Sequence, residues 1–401
     1  MSLIFKHNGS LALLMLNIFL AMAAFGLVVP IMPTLMKELN INGSIVGLLT
    51  AAFAVTQLLF SPFAGRLCDQ IGRKKVIVSG LALLAFSEAI FAFSSSVYLL
   101  FFSRLLGGTG VALIYPGIMA FTADVTTENE RAKGMGWISA AMSTGFIIGP
   151  GIGGFLAEYG VRMPFLIATI VISLSALLSL LILPESSEIS GIRHTPKNVA
   201  DQFAPTQSLW SQLASSRKAP YFFALLILLV LGFGLSSFET VISLYLDAKH
   251  GFGPKDIAMI MTVGAIAGVF IQIVLLDLLV NKLGEIKVML LSLFIAGVFI
   301  IAMLFAHNYL LVMLVSVLIF AACDLLRPAA STYLSRSAGA DQGYIAGLNS
   351  SFTSLGTIMG SAAAGFLYDL SLSLPLIVSG LTFVLCCIIL LTKKDNTHAI
   401  D

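Results

Sequence analysis

The chain has 401 residues, 58% of them hydrophobic and only 10% charged, with a formal net charge of +2. A soluble domain carries about 25% charged residues, so a mean hydropathy of +1.00 excludes an ordinary water-soluble fold. The near-neutral balance offers no basic face for nucleic acid, and the four cysteines, Cys68, Cys323, Cys386 and Cys387, lie in or beside apolar runs as small buried hydrophobes with no disulfide or metal-ligand spacing.

A helix that crosses a bilayer needs about 20 apolar residues. In chain order such runs cover about 11–36, 44–65, 76–95, 97–121, 133–157, 163–183, 219–246, 255–280, 286–306, 308–330, 342–368 and 373–392. The first is too long for a signal-peptide core and no small-residue cleavage site follows it, so it reads as a retained helix. With the N-terminus placed in the cytoplasm, sixteen of the 22 Lys and Arg residues fall inside. Four (Lys37, Arg162, Lys249 and Lys255) fall outside, and Arg104 and Arg327 lie within spans. This positive-inside bias predicts that both termini are cytoplasmic.

Residues 185–218 form the one long polar stretch, read as a cytoplasmic linker with a short amphipathic helix near Trp210. It separates an N-terminal half, 1–184, from a C-terminal half, 219–401, with six spans each. The halves repeat weakly: "GRLCDQIGRKKVIV" (65–78) and "DLLVNKLGEIKVML" (277–290) align Gly72 with Gly284 and Lys75 with Lys287. The expected fold is an all-α polytopic membrane protein of twelve transmembrane helices in two pseudo-symmetric six-helix halves.

Three stretches carry chemistry. In "GRLCDQIGRKK" (65–75), Gly72 suits a tight turn that favours positive φ. Asp69 ends the second helix where it can pair with a cation or a helix N-terminus, and Arg73 can reach Asp124 at the end of the fourth span. Such a cluster can latch the inward face shut. In "LFFSRLLGGTG" (100–110), Arg104 sits inside a span, where a charge faces a cavity or a partner. In "STGFIIGPGIGGF" (143–155), Gly145, Gly149 and Gly153 line one helical face, with Pro150 and Gly154 beside them. That face is a groove for close helix approach, and Pro150 frees a carbonyl and bends the helix. The sequence leaves a packing seam and a moving hinge equally open.

These stretches carry a resemblance. Gly65, Leu67, Asp69, Gly72, Arg73 and Lys74 match the G-x-L-x-D-x-x-G-R-K/R signature of the major facilitator superfamily. Arg104 and Gly108 resemble its R-x-x-x-G pattern in the fourth helix, and residues 145–154 match the G-x-x-x-G-P-x-x-G-G signature of drug antiporters. With "GLVVPIMP" (26–33), "SPFAGRL" (61–67), "FGLSSFET" (233–240), "DLLRPA" (324–329) and "GLNSSFTSLG" (347–356), nearly the whole chain resembles the 12-span drug:proton antiporters, in particular the NorA/Bmr group of bacterial multidrug efflux pumps. The linker and the extreme termini are the weakest parts.

The resemblance implies a major facilitator fold in a bacterial plasma membrane, working as a monomer. It implies export of amphipathic, often cationic or zwitterionic drugs in exchange for protons, with no cofactor or metal. It also links Arg104 to proton coupling and makes Glu239 and Asp324 the matching coupling pair.

The residues themselves support that assignment. Glu88, Glu239 and Asp324 are carboxyls deep in spans, and burial favours a carboxyl's protonated form. Arg327 lies three residues after Asp324 on the same helical face, where pairing holds Asp324 ionised. Glu239 is therefore the first-choice proton carrier. The alternative for each is a structural hydrogen bond between helices, and for Glu88 that alternative stands even with a functional role. Spans that face the cavity in this fold offer an apolar, adaptable pocket: Met22, Phe25, Gln57, Tyr115, Trp137, Met142, Phe146, Phe238, Phe320, Asn349, Phe352 and Thr353.

No enzyme signature is present. "LLGGTGVA" (105–112) lacks the Lys-Ser/Thr ending of a phosphate loop, and the five histidines are scattered. Two other functions fit less well: a narrow-specificity exporter of a sugar or metabolite would want a more polar pocket, and a non-transporting sensor would want an added signalling domain.

Overall fold

The computed structural model describes residues 8–186, 222–337 and 342–397. Among these, thirteen α-helices follow one another: α1 (Asn8–Leu27), α2 (Met32–Leu39), α3 (Gly43–Ile71), α4 (Arg73–Phe93), α5 (Val97–Val125), α6 (Glu128–Ala157), α7 (Met163–Ile182), α8 (Phe222–His250), α9 (Pro254–Leu283), α10 (Glu285–Ala302), α11 (Tyr309–Ser337), α12 (Gln342–Leu370) and α13 (Leu374–Thr397). A short 3-10 turn, Val29–Ile31, joins α1 to α2, so the two read as one span, Gly9–Leu39. Eleven described helical segments are long and apolar enough to cross a membrane. The other predicted span is α12, 29 residues long but diluted with Gly, Ser and Thr. The linker predicted over 185–218, with the helix near Trp210, lies outside the described residues except for Glu185 and Ser186.

Several helices run past their apolar stretches. The third starts at Gly43 and continues to Ile71, carrying Arg66 and Asp69 on its last turns. Many exposed side chains on these helices are apolar, among them Ile170, Leu174 and Leu181 of α7 and Phe270 and Ile273 of α9, as a hydrocarbon surrounding that satisfies no polar group demands.

The chain forms two compact units, Met1–Leu39 with Ala52–Ala204, and Asn40–Ala51 with Pro205–Asp401. In the first, α1 packs on α6 and α7, and α4 packs on α5 and α7. Gly145, Gly149 and Gly153 of α6 lie directly on the backbone of Phe19, Ala23 and Leu27 in α1; a Cβ on Gly149 would sit 2.7 Å from the Ala23 carbonyl oxygen. A Cβ on Gly26 would meet the Pro150 ring at 2.8 Å and the Phe146 carbonyl at 3.3 Å. The carbonyl that Pro150 leaves without its helical donor is thus covered by a glycine of the neighbouring helix. Asn17 ties α1 to α7: its Nδ2 donates to Ser179 Oγ (2.9 Å) and its Oδ1 accepts from Ser175 Oγ (2.6 Å).

The second unit repeats these pairings. Helix α8 packs on α12 and α13, and α10 packs on α11 and α13. Gly356 and Gly360 of α12 rest on the Leu229 and Phe233 carbonyls of α8, as the α6 glycines rest on α1. The turns before α4 and α10 match as well, with Gly72 at φ +98° and Gly284 at φ +79°, a region that L side chains rarely enter. Residues 40–51 belong to this unit because the start of α3 docks on α12. The Asp369 carboxylate accepts the N–H groups of Gly43 (2.7 Å) and Ser44 (2.9 Å) together with the Ser44 hydroxyl, capping α3.

Candidate functional site

In the second unit, Glu239 lies within the apolar helix α8, and Asp324 and Arg327 lie on α11. The third helix, α9, makes room for them with glycine. A Cβ on Gly268 would sit 2.5 Å from Asp324 Oδ2, and one on Gly264 would sit 2.8 Å from the Phe320 ring. Phe320 meets Phe238 edge-on, with centroids 6.0 Å apart. Arg327 and Asp324 both act electrostatically on Glu239, and Arg327 acts on Asp324. Glu239 and Asp324 are half-buried and Arg327 is exposed. None of the three makes a hydrogen bond or close ion pair with another described residue. A charged carboxyl with no donor in an apolar wall is costly. A proton, or a cation held close, relieves that cost, and one carboxylate cannot hold both.

In the first unit, the structure brings Asp69, Arg73 and Asp124 together. Arg73 Nη2 donates to Asp69 Oδ1 (2.8 Å), its Nη1 donates to the Cys68 carbonyl (2.7 Å), and its Nε lies 3.0 Å from Asp124 Oδ2. The Arg73 side chain is only 6% exposed and Asp124 13%, whereas Asp69 is 57% exposed. Two members were missed in the sequence. Ser186 Oγ donates to Asp124 Oδ2 (2.7 Å), and Glu185 accepts the Lys74 N–H (3.3 Å). The Glu185 carboxylate fills the space a Cβ on Gly72 would need, 2.6 Å away, so that glycine is required by both turn and neighbour. Replacing Asp124 with Asn leaves a buried guanidinium facing one exposed carboxylate. The expected result is a loss of roughly 1–3 kcal/mol, read as a lower thermal midpoint in detergent; an unchanged midpoint would count against a buried latch.

The charge inside the fourth span has a partner. Arg104 faces Glu88 of α4, both buried, with Nη2 3.5 Å from Oε1. Gly108, one turn on, lies against Phe53 and Thr56 of α3.

The pocket residues expected from the sequence fall into two groups. Tyr115 and Phe146 are exposed, and Phe25, Gln57, Trp137, Met142, Asn349 and Thr353 are half-buried. Phe25 centres an aromatic group, 5.0 Å from Phe53 and 5.3 Å from Phe146. Phe53 was not singled out in the sequence, where nothing separates it from 28 other phenylalanines. The Trp137 ring carries Lys133 Nζ 5.1 Å from its centroid. Asn349 Nδ2 donates to Ser331 Oγ (3.1 Å), linking α12 to α11. The other group, Met22, Phe238, Phe320 and Phe352, is buried: Met22 backs onto Gly145, Phe320 covers Gly264 and Phe238, and Phe352 packs with Phe222 at 6.3 Å. In this structure their side chains pack against neighbouring helices, where aromatic rings bury much apolar area. Among the motif glycines, Gly154 is buried, and a Cβ on Gly65 would meet nothing within 4 Å, so no close approach requires glycine there.

Comparison with known proteins adds a family. The sequence profile of the Major Facilitator Superfamily matches residues 14–285 and 273–399. Multidrug resistance protein 2 of Bacillus subtilis is 44% identical over 392 residues, 97% of each chain. Quinolone resistance protein NorA of Staphylococcus aureus is 38% identical over 393 residues, 97% of this chain and 98% of its own. Among solved structures, the nucleoside transporter NupG superposes with a TM-score of 0.75 at 16% identity, covering 95% of this chain and 98% of its own. A bacterial homolog to the human lysosomal transporter Spinster superposes with a TM-score of 0.71 at 15% identity, covering 96% and 95%. At such identity these structures speak for the fold alone.

Proposed function

The chain belongs to the Major Facilitator Superfamily, a family of membrane transporters rather than enzymes, and from that premise we propose that it exports amphipathic drugs across a bacterial plasma membrane in exchange for protons. The observation that carries this function is the pair of carboxyls, Glu239 and Asp324, that meet no hydrogen-bond donor among the described residues and lie beside Arg327. The printed names of two relatives, multidrug resistance and quinolone resistance proteins, support the same function and the substrate class.

The mechanism follows from charge. With Glu239 ionised, the site attracts a cationic or zwitterionic drug, and nearby rings hold its apolar part. A proton arriving from outside neutralises Glu239 and weakens the hold on the drug. Glu239 is the group that exchanges, with Asp324 and Arg327 acting on it by charge. The proton gradient is the sole energy source, and no cofactor takes part. The Asp69–Arg73–Asp124 cluster stabilises the outward-facing member of the alternating pair, with both termini in the cytoplasm and a single chain as the working unit.

In inverted membrane vesicles carrying an imposed proton gradient, adding a quinolone or a cationic dye should dissipate the gradient only when the chain is expressed. A growth panel across unrelated toxic compounds should show protection against several chemical classes. Protection against one class alone would favour a narrow-specificity exporter, and no drug-driven proton movement would overturn the antiport assignment.

A further inference from the structure

Helices α4 and α5 form an antiparallel hairpin around the Ser94–Ser96 turn. Ser87 and Ser103 clasp it twice: Ser87 Oγ donates to the Ser103 carbonyl (2.7 Å), and Ser103 Oγ donates to the Ser87 carbonyl (2.8 Å). One residue further along each strand of the hairpin, Glu88 and Arg104 face each other, 1% and 4% exposed. Their closest approach, 3.5 Å, is an ion contact without a hydrogen bond. Glu88 Oε2, Arg104 Nε and Arg104 Nη2 have no hydrogen-bond partner among the described residues. The guanidinium carbon sits 4.1 Å from the Phe91 ring centroid, and Phe165 of α7 backs that ring at 4.6 Å.

A pair built only to fasten two helices would use the parallel, two-bond geometry that arginine and carboxylate favour. This pair does not. A carboxylate with one oxygen lacking any donor, enclosed in apolar surroundings, is expensive to keep charged. A proton on Glu88 removes that charge, while Arg104 keeps the face of Phe91 as its partner. The two protonation states are thus both provided for. No other charge confuses the balance: α1 and α7, which pack on α4, carry no ionisable side chain over Gly9–Leu27 and Met163–Ile182, and at this level α5 offers Arg104 alone.

We propose that Glu88 is a second proton-binding group of the transporter, with Arg104 as its fixed counter-charge, and that its protonation sets part of the pH dependence of export. The step is a simple exchange: a proton from water adds to the carboxylate and later returns to water, Arg104 stays charged, and nothing is oxidised or reduced. The proposal rests on the proton-driven export put forward above.

Infrared difference spectra between neutral and acid media, taken on the protein in lipid bilayers without drug, test the binding directly. In the Glu239→Gln, Asp324→Asn background, a buried carboxyl band should persist. It should vanish on adding Glu88→Gln and shift with Glu88→Asp. In transport, Glu88→Gln alone should move the pH profile of export by about tenfold in apparent proton affinity, about one pH unit, and Glu88→Asp should restore it. A band untouched by Glu88→Gln, or a transport profile superimposable on that of the unaltered chain, would overturn the proposal. Should Glu88→Gln fail to fold, Arg104→Lys keeps the charge beside the carboxyl and must move both band and profile; no movement would overturn it equally. The infrared result involves no drug, so it is independent of whether drugs drive proton release.

Discussion

Replacing Glu239 with Gln is expected to abolish drug-driven proton release, a fall of roughly tenfold or more, or at least about 1.4 kcal/mol in coupling. The substitution keeps the size of the side chain and removes only its capacity to exchange a charge. Glu239 is half-buried in α8 with no hydrogen-bond partner among the described residues, so no structural contact is lost with its charge. The folded protein should therefore survive with an unchanged thermal midpoint while the vesicle assay goes silent. Binding should change in a specific direction: a cationic dye should bind less tightly and a neutral drug about as well. Normal proton-coupled efflux by the Gln variant would sink the assignment of Glu239 as carrier. Asp324→Asn should produce a milder coupling defect, because it keeps the side chain's size against Gly268 and removes only a charge that acts on Glu239.

The second large effect is expected at Gly149. Overpacking a core costs about 1–3 kcal/mol when side chains can shift aside. At Gly149 the obstacle is the Ala23 backbone, 2.7 Å from where a Cβ would start, so Gly149→Leu must separate α6 from α1. The expected outcome is a strongly lowered thermal midpoint and little monodisperse protein. Gly136→Leu on the same helix is the control: that position is exposed and a Cβ there meets nothing within 4 Å. Gly149→Ala should fall between the two. A Gly149→Leu variant that is stable but arrested in one conformation would show the α6 glycines acting as a hinge. Destabilisation with leak would show them acting as a seal, which is the role that their continuous contact with Phe19, Ala23 and Leu27 supports.

Much of this architecture is legible in local sequence signals. The turn glycines Gly72 and Gly284 announce themselves through position and repeat, and both adopt positive φ. Asp69, Arg73 and Asp124 meet as their places at helix ends suggested. What sequence reading missed depends on tertiary neighbours. Glu185 and Ser186 sit where composition reads as linker, yet they complete the latch around Asp124 and Gly72. Asp369 caps a helix that begins 326 residues away, and no local pattern connects the two. The Glu88–Arg104 pairing left only a coarse trace: both are charges inside consecutive spans, which an antiparallel hairpin brings side by side. The pocket aromatics were the hardest to sort. Apolar character alone cannot tell an exposed ring such as Phe146 from a buried one such as Phe352.

The glycine crossings of α1 with α6 and α8 with α12 have an entropic consequence. Where backbone lies on backbone, no rotamers are frozen when the helices meet, and lipid has already paid for forming the helices themselves. Association at these crossings therefore leaves the long, flexible side chains out of account. Met142, Phe146 and Tyr115 take no part in these crossings and stay partly or largely exposed. Each unit is therefore held at its glycine crossings, and its exposed side chains are left available for guests of many shapes, which is what a transporter of chemically unrelated compounds requires.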